Sequence, residues 1–134
     1  MPDPLIVDAN PLISALLGGA ARRVIFSGRF SFHSTQHTLF EVEKYLSWLA
    51  RKLDRSELDL FREFQLLPVT AYQPIEYESM LSNASLLIGN RDPKDVPVLA
   101  LTLQLGYPLW TEDRDFDGLP GILVRRTAEL LASL

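Results

Sequence analysis

Leu5-Ile6-Val7-Asp8-Ala9-Asn10-Pro11-Leu12 is the stretch from which the architecture follows. The apolar run Leu5-Ile6-Val7, bounded by Pro4 and Asp8, fits a strand buried in a parallel sheet. A helix begins directly after it. Asn10 is placed to cap the free amides, and Pro11 occupies the first turn, where a missing N–H costs nothing. Leu12, Ile13, Leu16 and Leu17 give this helix an apolar side, and Gly18-Gly19 ends it. The junction leaves one carboxylate, Asp8, at the carboxyl end of a strand.

Reading onward, Ala20 to Ser27 suggests a second short helix and Phe30 to His33 a strand. From Thr38, the residues Leu39, Val42, Leu46, Leu49 and Leu53 recur at the three-and-four spacing of a single amphipathic helix. Ser56 and Asp59 form a capping-box pattern ahead of a helix carrying Leu58, Leu60, Phe61 and Phe64. Leu66 to Val69 reads as a strand that Pro68 would confine to a sheet edge. Pro74 to Ile88 predicts one helix or a broken pair. Asp92-Pro93-Lys94-Asp95 then launches an apolar helix through Val98, Leu99, Leu101, Thr102 and Leu105 that Gly106 stops. Leu109-Trp110-Thr111 and Ile122-Leu123-Val124 supply two more strands, and Thr127 is placed to cap a terminal helix. Strands alternating with helices predict a three-layer α/β domain with a mostly parallel sheet, residues 1–134 forming one unit. Ligands of such sheets collect beyond the carboxyl ends of the strands, where strand order reverses.

Composition narrows the chemistry. The chain has 134 residues, 47% hydrophobic, enough for one compact domain with a core. Thirteen basic against seventeen acidic residues give a net charge of −4, so any nucleic acid must meet a local basic patch or a bound metal. The absence of cysteine removes disulfides, thiolate catalysis and Cys-ligated metals. No apolar run reaches membrane-spanning length, and Met1-Pro2-Asp3-Pro4 lacks the basic region of a secretion signal, which makes a soluble cytoplasmic protein without membrane contact the expectation. The phosphate loop GxxxxGK[ST], the dinucleotide fingerprint GxGxxG and the nucleophile elbow GxSxG are all missing.

What remains is the placing of acids. Asp8 follows the first strand, Glu41 lies in the first turn of the long helix, Asp95 opens the apolar helix, and Asp113 follows the fourth strand by one intervening residue. Four carboxylates converging at one sheet end repel one another, and hard divalent cations compensate through oxygen ligation. Mg²⁺ or Mn²⁺ matches such a set better than zinc, whose nitrogen and sulfur ligands are lacking. Each helix acid also has a purely structural reading. Thr38-Leu39-Phe40-Glu41 has the form of a capping box, and in Asp92-Pro93-Lys94-Asp95 the first acid caps while the last lies three beyond it.

Taken in order, Ile6-Val7-Asp8-Ala9-Asn10, Leu39-Phe40-Glu41-Val42, Asp92-Pro93-Lys94-Asp95-Val96-Pro97-Val98-Leu99-Ala100 and Thr111-Glu112-Asp113-Arg114-Asp115-Phe116 resemble a PIN-domain protein. This is a class of small metal-dependent ribonucleases that includes toxins of toxin–antitoxin pairs. The resemblance implies a five-stranded sheet within an α/β/α fold, frequent homodimers and, for a toxin, an antitoxin protein as partner. It also implies that Asp8, Glu41, Asp95 and Asp113 form the catalytic quartet that holds Mg²⁺ or Mn²⁺ and cleaves RNA. Asp115 and Asp92 then become additional acids. Thr111 supports the site through its hydroxyl, and Asn10 combines capping with orientation of Asp8.

Other residues point less sharply. Lys94 lies between two site acids and borders a phosphate path more readily than Lys44, Arg22-Arg23, Arg29, Arg51-Lys52 or Arg55, for which solvated helix faces suffice. His33 and His37 lack a cysteine set for zinc; His37 precedes Glu41 by one helical turn and so approaches the same region. Trp48, Trp110 and the phenylalanines read as core or interface aromatics rather than base-stacking platforms. Two further functions compete with the nuclease: a catalytically weak PIN-like module that binds RNA or regulates, and a structural partner protein.

Overall fold

The structure, a computed structural model, describes residues 1–134. Five parallel strands form one sheet: β1 (Asp3–Val7), β2 (Phe30–Thr35), β3 (Val69–Tyr72), β4 (Leu109–Trp110) and β5 (Val124–Arg125). Their order is β3-β2-β1-β4-β5, so the chain winds outward from β1 through β2 to β3, then returns to the other side of β1. Strand order therefore reverses between β1 and β4, and the crevice expected of such sheets lies beyond their carboxyl ends. Asp8 and Asp113 follow these two strands.

Successive strand residues face opposite sides. Leu5, Val7, Phe32 and Trp110 point into one core, with α1 (Ala9–Leu16), α2 (Ala21–Ile25), α3 (Gln36–Lys44), α4 (Leu46–Leu53), α5 (Glu57–Gln65) and α8 (Thr127–Ala132). Ile6 and Leu109 point into the other, with α6 (Leu81–Ile88), α7 (Val96–Leu105) and Phe116. Helices on both faces of a parallel sheet give the expected three-layer α/β/α architecture. No helix is long and apolar enough to cross a membrane.

Several boundaries differ from the sequence expectation. The single helix from Thr38 to Leu53 is two helices, α3 and α4, broken at Tyr45, whose N–H donates to Val42 O at 3.0 Å instead of continuing the four-residue ladder. The bend lets Val42, Leu46 and Leu49 all enter the same core. The third strand starts at Val69 rather than Leu66: Pro68 has no N–H to give a ladder, and Leu66 stays 72% exposed. Pro74 to Ile88 is a broken arrangement, two 3₁₀ turns followed by α6. Gly106 ends α7 in the left-handed region at φ 71°, as expected of a terminating glycine. Thr127 begins α8 without capping it; its hydroxyl accepts the Trp110 Nε1–H at 2.9 Å, satisfying the polar end of a fully buried indole.

Candidate metal centre

The acids are brought to the β1/β4 crevice by different devices. Asp8, not Asn10, caps α1: its Oδ1 accepts the Ala9 N–H at 2.8 Å, while Asn10 lies exposed within the helix and Pro11 two residues beyond its first position. Asp8 is only 7% exposed, and its Oδ2 accepts the Thr111 hydroxyl at 2.8 Å. The same hydroxyl oxygen accepts the Asp113 N–H at 3.0 Å, and Asp113 Oδ1 accepts the Asp115 N–H at 2.9 Å. The Thr111 hydroxyl thus links the acid after β1 to the loop after β4.

The capping alternatives separate cleanly. Thr35, rather than Thr38, caps α3, and its side chain accepts the Thr38 N–H at 2.9 Å. Glu41 consequently lies in the second turn with no capping function, and its buried Oε1 has no hydrogen-bond partner. His37 Nδ1 approaches that oxygen at 3.5 Å, an ion pair only when the ring is protonated. Asp92 does cap the 3₁₀ turn Pro93–Asp95, accepting the Lys94 N–H at 3.0 Å. Asp95 at the start of α7 caps nothing, and its buried Oδ2 is also without a partner. Of the two capping readings, the first is displaced by Thr35 and the second holds for Asp92 but leaves Asp95 free.

Electrostatics join these carboxylates. Burial pushes the Asp95 carboxyl up from 3.8 to about 7, and the negative charges of Asp8, Asp92, Asp113 and Glu41 add to the rise. Burial is also the main cause raising Asp8; the Thr111 hydroxyl and Ala9 amide pull it down, while Asp113 and Glu41 push it up. Carboxyl oxygens of Asp95, Asp113 and Asp115 lie within 4.8 Å of one another, close enough to share a cation. Asp115, expected as an additional acid, belongs to this closest trio.

The family model described as PIN domain matches residues 6–134. The chain belongs to the PIN domain family. Among solved structures, this PIN domain is similar to a chain in the crystal structure of VapBC2 from Rickettsia felis bound to a DNA fragment from their promoter. The two are 15% identical with a TM-score of 0.58, covering 92% of this chain and 98% of that one. That likeness shows the fold. No curated protein matches the sequence.

Two arginines that the sequence reading passed over hold the acidic loop of this PIN domain. Arg126 Nη1 donates to Thr111 O at 2.7 Å and to Asp113 O at 3.4 Å, and its Nη2 pairs with the Asp117 carboxylate. Arg91 Nη1 donates to Asp115 O at 2.9 Å. The signal for Arg126 was topological: β4 and β5 are parallel neighbours with Trp110 opposite Arg125, so the residue just after β5 lies beside Thr111. Beside the acids, a cleft of about 330 Å³ is lined by His37, Glu41, Lys44, Tyr45 and Lys94.

Proposed function

We propose that this protein is a Mg²⁺- or Mn²⁺-dependent endoribonuclease. The observation that carries the reading is a pair of buried carboxylate oxygens in a cluster of like charges, Glu41 Oε1 and Asp95 Oδ2: neither accepts a hydrogen bond, and the only cationic group near either is His37, 3.5 Å from Glu41 Oε1 and charged only when protonated. Buried polar atoms are nearly always partnered, and two unpaired acceptors facing a shared negative field fit a missing cation. The residues present suit a hard ion: all are oxygen donors, and three already lie within mutual ligand distance.

In this reading Asp95, Asp113 and Asp115 are direct ligands, Glu41 Oε1 is a further ligand or orients the attacking water, and Asp8 completes the quartet. Asp8 keeps unused lone pairs after accepting from Ala9 and Thr111, so it both holds the loop and faces the ion. The bound cation supplies Lewis acidity, an activated water and positive charge for the phosphoryl oxygens. The protein's own groups hold that charge in place: Thr111 and Arg126 fix the loop after β4, the start of α7 presents Asp95, and α3 presents Glu41.

Membership of a family with many toxin components, and similarity to VapBC2, support a toxin role with an antitoxin as partner. Phe26, Phe40 and Leu66 are exposed apolar residues available to such a partner or to a second copy in a homodimer.

RNase-free protein should cleave an RNA pool with Mg²⁺ or Mn²⁺ and stop on chelation. Asp8→Asn and Asp113→Asn, verified as folded by circular dichroism, should each lose activity by two orders of magnitude or more. Full metal-dependent cleavage by both variants would reject the assignment.

A further inference from the structure

The cleft beside Glu41 has a lining that the metal centre leaves unused. Lys44 ends α3, Tyr45 forms the break before α4, and Lys94 lies in the turn before α7; all three are exposed, and with His37 and Glu41 they line the cleft. Neither lysine forms a salt bridge within the chain, although the chain has more acids than bases. Two ammonium groups without a salt bridge, lining one cleft next to a carboxylate cluster, suit an anionic ligand that also reaches the metal. Tyr45 is 49% exposed and meets Trp48 edge-on, with ring centroids 6.5 Å apart at 83°. Trp48 in turn carries the Lys52 ammonium 5.0 Å from its ring centroid. The break between α3 and α4 is what makes this possible: an unbroken helix would not turn the chain at Tyr45.

We infer that this cleft is a nucleotide subsite, in which Lys44 and Lys94 hold the phosphate next to the scissile bond and Tyr45 stacks on the attached base of a single-stranded RNA. The inference rests on the nuclease reading for its choice of ligand and adds where the strand runs. A cavity of about 330 Å³ lies at the small end of the roughly 300–1,000 Å³ range of ligand sites, suited to one nucleotide rather than a folded RNA surface. An aromatic face available for stacking selects an unpaired base, since bases within a duplex already stack on their neighbours. Ammonium groups read the backbone charge and not the sequence, so the subsite gives affinity and register with little base preference.

The test is fluorescence anisotropy with a labelled single-stranded RNA in Ca²⁺, with gel electrophoresis showing that the oligonucleotide stays intact. Each lysine that contacts a phosphate adds about 0.7 to the salt slope, or about fivefold in affinity at 0.1 M monovalent salt. Lys44→Ala and Lys94→Ala should therefore each weaken binding about fivefold and flatten the salt dependence; the double variant should weaken it about twenty-fivefold. Tyr45→Ala should weaken binding by roughly five- to a hundredfold, with Tyr45→Phe restoring it because the ring alone stacks. Mn²⁺ affinity by calorimetry should stay at the wild-type value in all five variants. RNA binding within twofold of wild type in the double lysine variant overturns the subsite, whether or not the protein cleaves RNA. So does Tyr45→Phe binding as poorly as Tyr45→Ala. Lysine-dependent binding by a protein that never cleaves RNA would keep the subsite and overturn the nuclease reading instead.

Discussion

Replacing Asp95 by Asn should stabilise the metal-free protein, an unusual direction for a change at a half-buried acid. The carboxyl rises from 3.8 to about 7, so at pH 8 the native state holds a charge that the unfolded chain carries at lower free energy. At about 1.36 kcal/mol per unit, the ceiling is about 4 kcal/mol. The side chain is only partly buried, and solvent screening brings the gain down to about 1–2 kcal/mol, or about 4–8 °C in Tm. Asn loses no cap, because Asp95 makes no capping bond.

The sign with pH follows from linkage. Between pH 4 and pH 7 the native state binds more protons at this position than the unfolded state does, so wild-type stability falls as pH rises through that window and levels off above it. The Asn variant's advantage should therefore be full at pH 8 and shrink toward pH 4. Saturating Mn²⁺ reverses the order. Ligand at a hundred times its Kd adds about 2.7 kcal/mol to the wild type, whereas the variant, lacking a ligand oxygen, gains far less. Thermal unfolding at pH 5 and 8, with chelator and with Mn²⁺, reads all four arms. An Asn variant less stable than wild type in chelator at pH 8, or an equal Mn²⁺ shift in both proteins, would refute the electrostatic account.

Two neighbouring residues give independent checks. Arg126→Ala removes the guanidinium that holds the carbonyls of Thr111 and Asp113, and should lower Mn²⁺ affinity about 10–100-fold by calorimetry, with Arg126→Lys in between. Unchanged affinity would make Arg126 a surface ion pair with Asp117. Thr111→Val leaves Asp8 Oδ2 and the Asp113 N–H without the hydroxyl they share, and should cost about 2–4 kcal/mol in urea unfolding at pH 8, whereas Thr111→Ser should cost much less. Equal stability of the Val variant would show that the hydroxyl does not join the two loops.

The parts of this molecule that a sequence declares are those governed by local chemistry. Leu5-Ile6-Val7 read as a buried strand and is one, because an apolar run between Pro4 and Asp8 has little else to be. Gly106, Ser56 and Asp92 ended or capped the elements they were expected to, since each acts through its own backbone or through an amide two or three residues away. The break at Tyr45 carried no Pro or Gly signal; it arises from two helices wrapping one core, which periodicity does not record. Capping was misplaced at Asn10 and Thr38 because several adjacent residues had suitable side chains, and tertiary contacts chose Asp8 and Thr35. The convergence of Asp8 with the loop after β4 was legible from strand ends alone. The bracing by Arg126 was not, since it depends on β5 lying beside β4.

The acids beyond β1 and β4 should hold a divalent ion, which the anomalous scattering of a crystal soaked in Mn²⁺ would locate. A peak is expected in contact with Asp95, Asp113 and Asp115, with Glu41 and Asp8 facing it directly or through water. Manganese bound only elsewhere, or no peak among these carboxylates in a crystal saturated with the ion, would contradict it.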